Sequence, residues 1–154
     1  MPLVSIGPLS IEAPQSWMLS SVILAGPPDP PTSDPALRWT KPPRPFQRNL
    51  IATLERIGPA ETPESYVNRQ IKGLREAGVV REEVRPSETV ALQGGYAGLL
   101  TEQVILSAEG ERVRQMQLVI LKDDCAYTLI ASHLDGAPFE AVRAEFREML
   151  LSFR

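Results

Sequence analysis

Cysteine and histidine are nearly absent from this 154-residue chain, which has one of each, Cys125 and His133. A lone cysteine cannot form an internal disulfide or a cysteine-rich metal site, and a single histidine leaves little for a catalytic triad or a zinc centre. The adjacent carboxylate pairs at 82–83 and 123–124 do not suit general acid and base roles, because neighbouring residues of a strand point to opposite faces. We therefore expect no catalytic residues, no metal site and no cofactor, and no enzymatic activity.

The chain also lacks a large net charge and a long run of apolar residues. The net charge is −3, so the chain has no overall basic surface for nucleic acid. No apolar run approaches the roughly 20 residues that span a bilayer. The N-terminus lacks the charged start and unbroken apolar core of a secretory signal. We expect a soluble, cytoplasmic protein that neither binds nucleic acid nor inserts directly into a membrane.

The composition is that of one globular domain, with 43% hydrophobic and 23% charged residues over positions 1–154. One segment departs from it, because eight of the nineteen residues from Pro27 to Pro45 are proline. Proline lacks the amide that a strand ladder needs, so this segment is predicted to be a loop insert. Two interpretations stay open: a long surface loop, or an arm that binds a partner.

Hydrophobic periodicity predicts a series of strands and two main helices. Thr62 to Ala77 has apolar residues at helical spacing, with Thr62 as the cap and Pro63 at the first helical position. A second amphipathic helix is predicted to begin at Gly136. Short strands are predicted at 9–13, 20–25, 49–54, 79–84 and 89–92, and three longer ones, joined by tight turns, between Tyr96 and His133. The predicted fold class is α+β, a twisted antiparallel sheet with two main α-helices packed on it.

The middle long strand has apolar residues on both faces. Met116, Leu118 and Ile120 share one face, whereas Val113 lies on the other beside Gln115 and Gln117. Two arrangements stay open, since the helices can cover both faces or lie together on one. In the second case a semi-polar face rich in valine and glutamine remains, and an apolar patch of that kind usually marks an interface.

The order of these segments resembles that of the DcrB family of bacterial proteins, which has a PsbP-like fold. The resemblance is carried by the first strand, the turn at 14–17, PESYVNRQIKGL at 63–74, RVRQMQLVILKDDCAYTLIASH at 112–133 and FEAVRAEFREMLLSF at 139–153. These segments cover most of the chain outside the proline-rich insert, and the insert departs from the family pattern.

Within that family, the cytoplasmic members without a signal peptide look like the Eag chaperones of type VI secretion, and the chain resembles these. That resemblance implies a homodimer that binds the apolar N-terminal transmembrane helices of a secreted effector and shields them from water before export. It also implies a partner-binding groove on the sheet, lined by Val22, Leu24, Ile51, Leu74, Val113, Gln115 and Gln117. The alternative function is that of a PsbP-like accessory protein, which would meet a folded protein partner through the proline-rich loop.

Overall fold

The computed structural model describes residues 46, 48–107 and 109–153, together with the backbone of three strands at 3–6, 9–12 and 20–25. The strands are β1 (Leu3–Ile6), β2 (Leu9–Glu12), β3 (Ser20–Ala25), β4 (Asn49–Arg56), β5 (Arg81–Ala91), β6 (Ala97–Leu106), β7 (Arg112–Lys122) and β8 (Cys125–Leu134), and the helices are α1 (Pro63–Glu76) and α2 (Ala137–Leu151).

β3 to β8 form a six-stranded sheet in the order β3-β4-β8-β7-β6-β5, and β1 and β2 pair with each other as a separate two-stranded sheet. All of these pairings are antiparallel. The predicted α+β class, with an antiparallel sheet and two main helices, is confirmed. Within the described part of the chain, no helix is long and apolar enough to cross a bilayer.

α1 begins where the sequence predicts, after Thr62 as the cap, and the structure shows that Ser65 completes a capping box. The hydroxyl of Thr62 accepts the Ser65 amide at 3.1 Å, and the Ser65 hydroxyl accepts the Thr62 amide at 2.9 Å. Pro63 follows the cap, and Glu64 places a negative charge in the first turn, near the positive end of the helix dipole. These contacts are local, which is why the sequence suffices to predict them.

β5 differs from the prediction of two short strands on either side of Pro86. It is one strand from Arg81 to Ala91, with register shifts between Glu83 and Arg85 and between Arg85 and Glu88. β5 lies at the edge of the sheet and Pro86 falls within the second register shift, a place where a residue without an amide is tolerated. The pairing register shifts around Pro86, and the pairing of β5 with β6 continues to Ala91.

The two helices lie on opposite faces of the sheet, so the arrangement with both on one side is wrong. α2 packs on the face of Met116 and Leu118, whereas α1 places Tyr66 and Val67 against the opposite face. The core under α2 consists of Val90, Leu92, Leu100, Met116, Leu118, Ile120, Ala131, Phe139, Phe146 and Leu150. The core under α1 is smaller and consists of Tyr66, Val67, Leu99, Val119 and Ala126. α1 therefore packs over one region of its face, and the rest of that face is where the candidate site lies.

Candidate functional site

A groove of about 410 Å³ lies between α1 and the adjoining part of the sheet. Its lining consists of Gln70, Gly73 and Leu74 from α1 and Gln103, Ile105, Gln115, Gln117 and Ile130 from β6, β7 and β8. None of these eight residues is charged, although 23% of the chain is. The groove therefore offers apolar surface together with neutral donors and acceptors.

The floor of the groove is built by cross-strand neighbours. Gln103 on β6 pairs with Gln115 on β7, and Gln117 on β7 pairs with Ile130 on β8. Residues that are paired across an antiparallel ladder point to the same face, so this register brings the three amide side chains and the isoleucine together. The floor strands β6, β7 and β8 are each hydrogen-bonded to a neighbour on both sides.

A line of side-chain hydrogen bonds crosses the floor from β5 to β8. Arg81 Nε donates to Gln103 Oε1, and Gln103 Nε2 donates to Gln115 Oε1 at 3.1 Å. Gln115 Nε2 then reaches Ser132 Oγ at 3.4 Å. Gln103 and Ser132 are both buried, so these bonds offset the free-energy cost of removing their polar groups from water.

α1 supplies the wall through residues at helical spacing. Gln70, Gly73 and Leu74 are three and four residues apart, which places them on one side of the helix. Gln117 Nε2 donates to Gln70 Oε1 at 2.7 Å, so the wall is bonded directly to the floor. At its other end α1 is held by Tyr66, whose hydroxyl donates to Glu55 Oε2 at 2.9 Å. Burial raises the pKa of Tyr66 above its ordinary value, so the phenol stays protonated as a donor.

Five of the seven predicted lining residues have described side chains. Leu74, Gln115 and Gln117 come together in the groove. Ile51 pairs with Ile130 and so lies on the same face one strand away, half-buried and outside the lining. Val113 pairs with Ile105 and is buried, and it is not among the residues that line the groove.

The other two predicted lining residues are described only by their backbone. Val22 pairs with Thr53 and Leu24 pairs with Ile51, which places β3 beside β4 at one edge of the sheet. Their side chains lie outside the described residues, as does the proline-rich insert at 27–45.

Five lining residues were not predicted, namely Gln70, Gly73, Gln103, Ile105 and Ile130. For Gln103, Ile105 and Ile130, the alternation of side chains along β6 and β8 was visible in the sequence. The pairing register of these strands with β7 would have placed the three residues on the same face as Gln115 and Gln117. For Gln70 and Gly73 the spacing to Leu74 was visible in the sequence, but the side of α1 that faces the sheet was not.

A cluster of ion pairs on the α2 face of the sheet was not predicted from the sequence. Arg114 lies 2.6 Å from Glu102 and 2.6 Å from Glu140, and Glu102 lies 3.0 Å from Arg143. Arg114 and Glu102 belong to the sheet and are buried, whereas Glu140 and Arg143 belong to α2. Arg114 also stacks over the Phe139 ring at 5.0 Å. The cluster joins α2 to the sheet. The sequence did contain an indication of it, because Arg114 has the same strand parity as Met116 and so lies on the same face of the sheet.

A second cavity, of about 500 Å³, lies near the turn between β7 and β8. Its lining consists of Arg56, Ile57, Pro59, Asp123, Asp124 and Cys125. Unlike the groove, it presents charged side chains of both signs beside a hairpin turn. Within the described ranges, no group of three or more histidine, cysteine or acidic side chains is placed to hold a metal ion.

No protein-family model and no curated protein sequence matches this chain. Solved structures do match it. Protein PA94 of unknown function from Pseudomonas aeruginosa superposes with a TM-score of 0.66 at 14% identity, over 100% of this chain and 96% of that one. Cyanobacterial PsbP (CyanoP) from Synechocystis superposes with a TM-score of 0.56 at 16% identity, over 70% of this chain and 66% of that one. The predicted PsbP-like fold is thereby confirmed, and at these identities the likeness shows the fold alone.

Proposed function

We propose that this protein is a non-enzymatic chaperone or adaptor that holds an apolar transmembrane helix of a type VI secretion effector in the groove and shields it from water before export. The observation that carries the proposal is the lining of the groove, in which all eight residues are uncharged. A charged wall would impose a desolvation cost on any apolar segment placed against it, and this wall does not.

The chemistry of the lining suits an apolar helix. Leu74, Ile105 and Ile130 would bury apolar side chains, at roughly 25 cal/mol for each Å² removed from water. The glutamine amides can pair with a polar side chain or a backbone carbonyl of the occupant, so a stray polar group need not be left unsatisfied. Binding of this kind needs neither a cofactor nor a chemical step.

The assignment to type VI secretion rests on the resemblance of the sequence segments to the DcrB family and to the Eag chaperones. The PsbP-like fold agrees with that resemblance. The homodimer and the cytoplasmic location belong to the same proposal. Sedimentation of the purified protein at several concentrations measures the oligomeric state independently of any client.

Co-expression with an apolar effector segment tests the proposal. We expect the wild-type protein to keep a fusion carrying an apolar helix of about 20 residues in the soluble fraction. Leu74→Asp should abolish this, because it places a charge in the wall of the groove. The matched control is Val80→Asp, since Val80 is 60% exposed and outside the lining. Equal rescue by both variants, or no rescue by the wild type, would show that the groove does not hold the helix.

The second candidate is an accessory protein that binds a folded partner through the proline-rich insert. The PsbP-like fold that the chain shares with CyanoP favours this second candidate, because the likeness of the two folds does not depend on the groove. Deletion of residues 27–45 separates the two candidates. The chaperone should keep its client-binding activity after the deletion, whereas an accessory protein of this kind should lose its partner and be unaffected by Leu74→Asp.

A further inference from the structure

Gly73 is the one glycine inside a helix among the described residues, and it lines the groove. It is exposed, and apart from its two chain neighbours and the backbone of its own helix, no described atom lies within 4 Å of the position that a Cβ would occupy. Glycine weakens a helix relative to alanine, because it loses more backbone freedom on folding. The packing of the described chain therefore gives no reason for a glycine here.

At two other positions the structure does explain why the residue is a glycine. At Gly98, a Cβ would lie 2.7 Å from the Leu118 side chain, so there is no room for a larger residue. Gly78, which follows α1, has a φ of +75°, which side chains disfavour. Gly73 lacks a left-handed backbone, and apart from its two chain neighbours no side chain of the described residues lies close to it.

We infer that Gly73 is the point at which a bound, uncharged α-helix crosses α1, and that the crossing helix has a small residue there. This inference rests on the proposed function and names the geometry of its client. Without a Cβ at Gly73, two helix backbones can approach closely, as small residues allow at helix crossings. Leu74 and Gln70 flank the glycine and would meet apolar and polar groups of the client.

The sheet favours a helix over an extended peptide. An added strand needs an unpaired edge, and the floor strands β6, β7 and β8 are paired on both sides. An occupant of the groove must therefore satisfy its own backbone hydrogen bonds, which a helix does. The uncharged lining selects a helix whose buried side is also uncharged.

Substitutions at Gly73 test this with opposite expected effects on stability and on binding. Gly73→Ala should raise Tm, because alanine favours the helix and its Cβ meets no close contact in the described part of the chain, yet weaken the affinity for a synthetic apolar helix with a central small residue. Gly73→Leu should weaken that affinity about tenfold or more, because it blocks close approach. Asn68→Ala and Asn68→Leu are the matched controls, since Asn68 is exposed on α1 outside the lining and its variants should bind as the wild type does.

The outcomes separate the crossing point from the function. If the wild type binds the helix and both Gly73 variants bind it equally well, Gly73 is not the crossing point and the proposed function stands. If the wild type does not bind, the function and the crossing both fail. Because Gly73→Ala is expected to fold at least as well as the wild type, weaker binding by that variant cannot come from unfolding.

Discussion

Gln117 Nε2 on β7 lies 2.7 Å from Gln70 Oε1 on α1, and this hydrogen bond joins the floor of the groove to its wall. Gln117 is only 6% exposed, so its amide depends on a protein partner more than a surface glutamine would. The bond therefore helps to hold α1 against the sheet beside the groove.

Loss of this bond should cost measurable stability. Gln70→Ala leaves the buried amide of Gln117 without this acceptor, and we expect the free energy of unfolding to fall by about 1–2 kcal/mol. In a cycle with Gln117→Leu, the double variant should lose less than the sum of the single losses, by about 0.5–1.5 kcal/mol. Urea denaturation measures all three variants, and strict additivity would show that the two side chains are not coupled.

The ion-pair cluster under α2 should matter more than surface ion pairs do. Arg114→Met removes the 2.6 Å partner of Glu102, which is 4% exposed, but Glu102 keeps Arg143 at 3.0 Å, so we expect a loss of about 1.5–3 kcal/mol. Arg112→Met is the control, because Arg112 pairs with Glu82 and Asp135 at the exposed surface. Its effect should be much smaller. Similar denaturation midpoints for the two variants would contradict the assignment of Arg114 to a buried cluster.

Gly98→Ala and Gly73→Ala should change stability in opposite directions. A Cβ at position 98 would lie 2.7 Å from Leu118 Cδ1, so the Leu118 side chain would have to shift, and Leu118 is fully buried in the core. Overpacking of this kind costs about 1–3 kcal/mol. Differential scanning calorimetry should therefore show a lower Tm for Gly98→Ala and a raised Tm for Gly73→Ala. A raised Tm for both would mean that β6 and β7 shift apart freely at this point.

His133 should make stability depend on pH. Burial, with a smaller contribution from Arg48, lowers the pKa of His133 below its ordinary value near 6.5, and its Nδ1 accepts the Leu134 amide at 2.8 Å. The unfolded chain therefore binds a proton more readily than the folded one. Stability from this group is complete above about pH 6.5 and is lost as pH falls through the folded pKa.

His133→Gln removes that titration. We expect the fall in Tm between pH 7 and pH 5 to be smaller in this variant than in the wild type, as measured by thermal melts in matched buffers. An identical slope in the two proteins would mean that other groups account for the acid sensitivity.

Features that depend on neighbours in sequence were predictable. The start of α1 follows from Thr62, Pro63 and Ser65, which contact one another within one turn. The bounds of β3 follow from a short apolar run, VILA, that two serines precede. β5 was predicted as two pieces because Pro86 reads as a strand breaker, and its place at the sheet edge, where proline is tolerated, depends on the pairing of distant strands.

The groove could be predicted only in part. Strand parity correctly put Gln115 and Gln117 on one face, since parity is a local property. Parity does not say what covers a face, which is why Val113 was expected to line the surface although it is buried. Gln70 and Gly73 enter the groove because of how α1 turns toward the sheet, and the packing of Tyr66 and Val67 decides that orientation.

Nuclear magnetic resonance of the glutamine side chains would show directly whether the groove holds a helix. A synthetic apolar helix of about 20 residues, delivered in mild detergent, would be titrated into protein labelled with ¹⁵N, with detergent alone as the reference. We expect the side-chain amide signals of Gln103, Gln115 and Gln117 and the backbone amide of Gly73 to shift together and saturate. Shifts confined to residues 27–45, or shifts equal to those caused by detergent alone, would contradict binding in the groove.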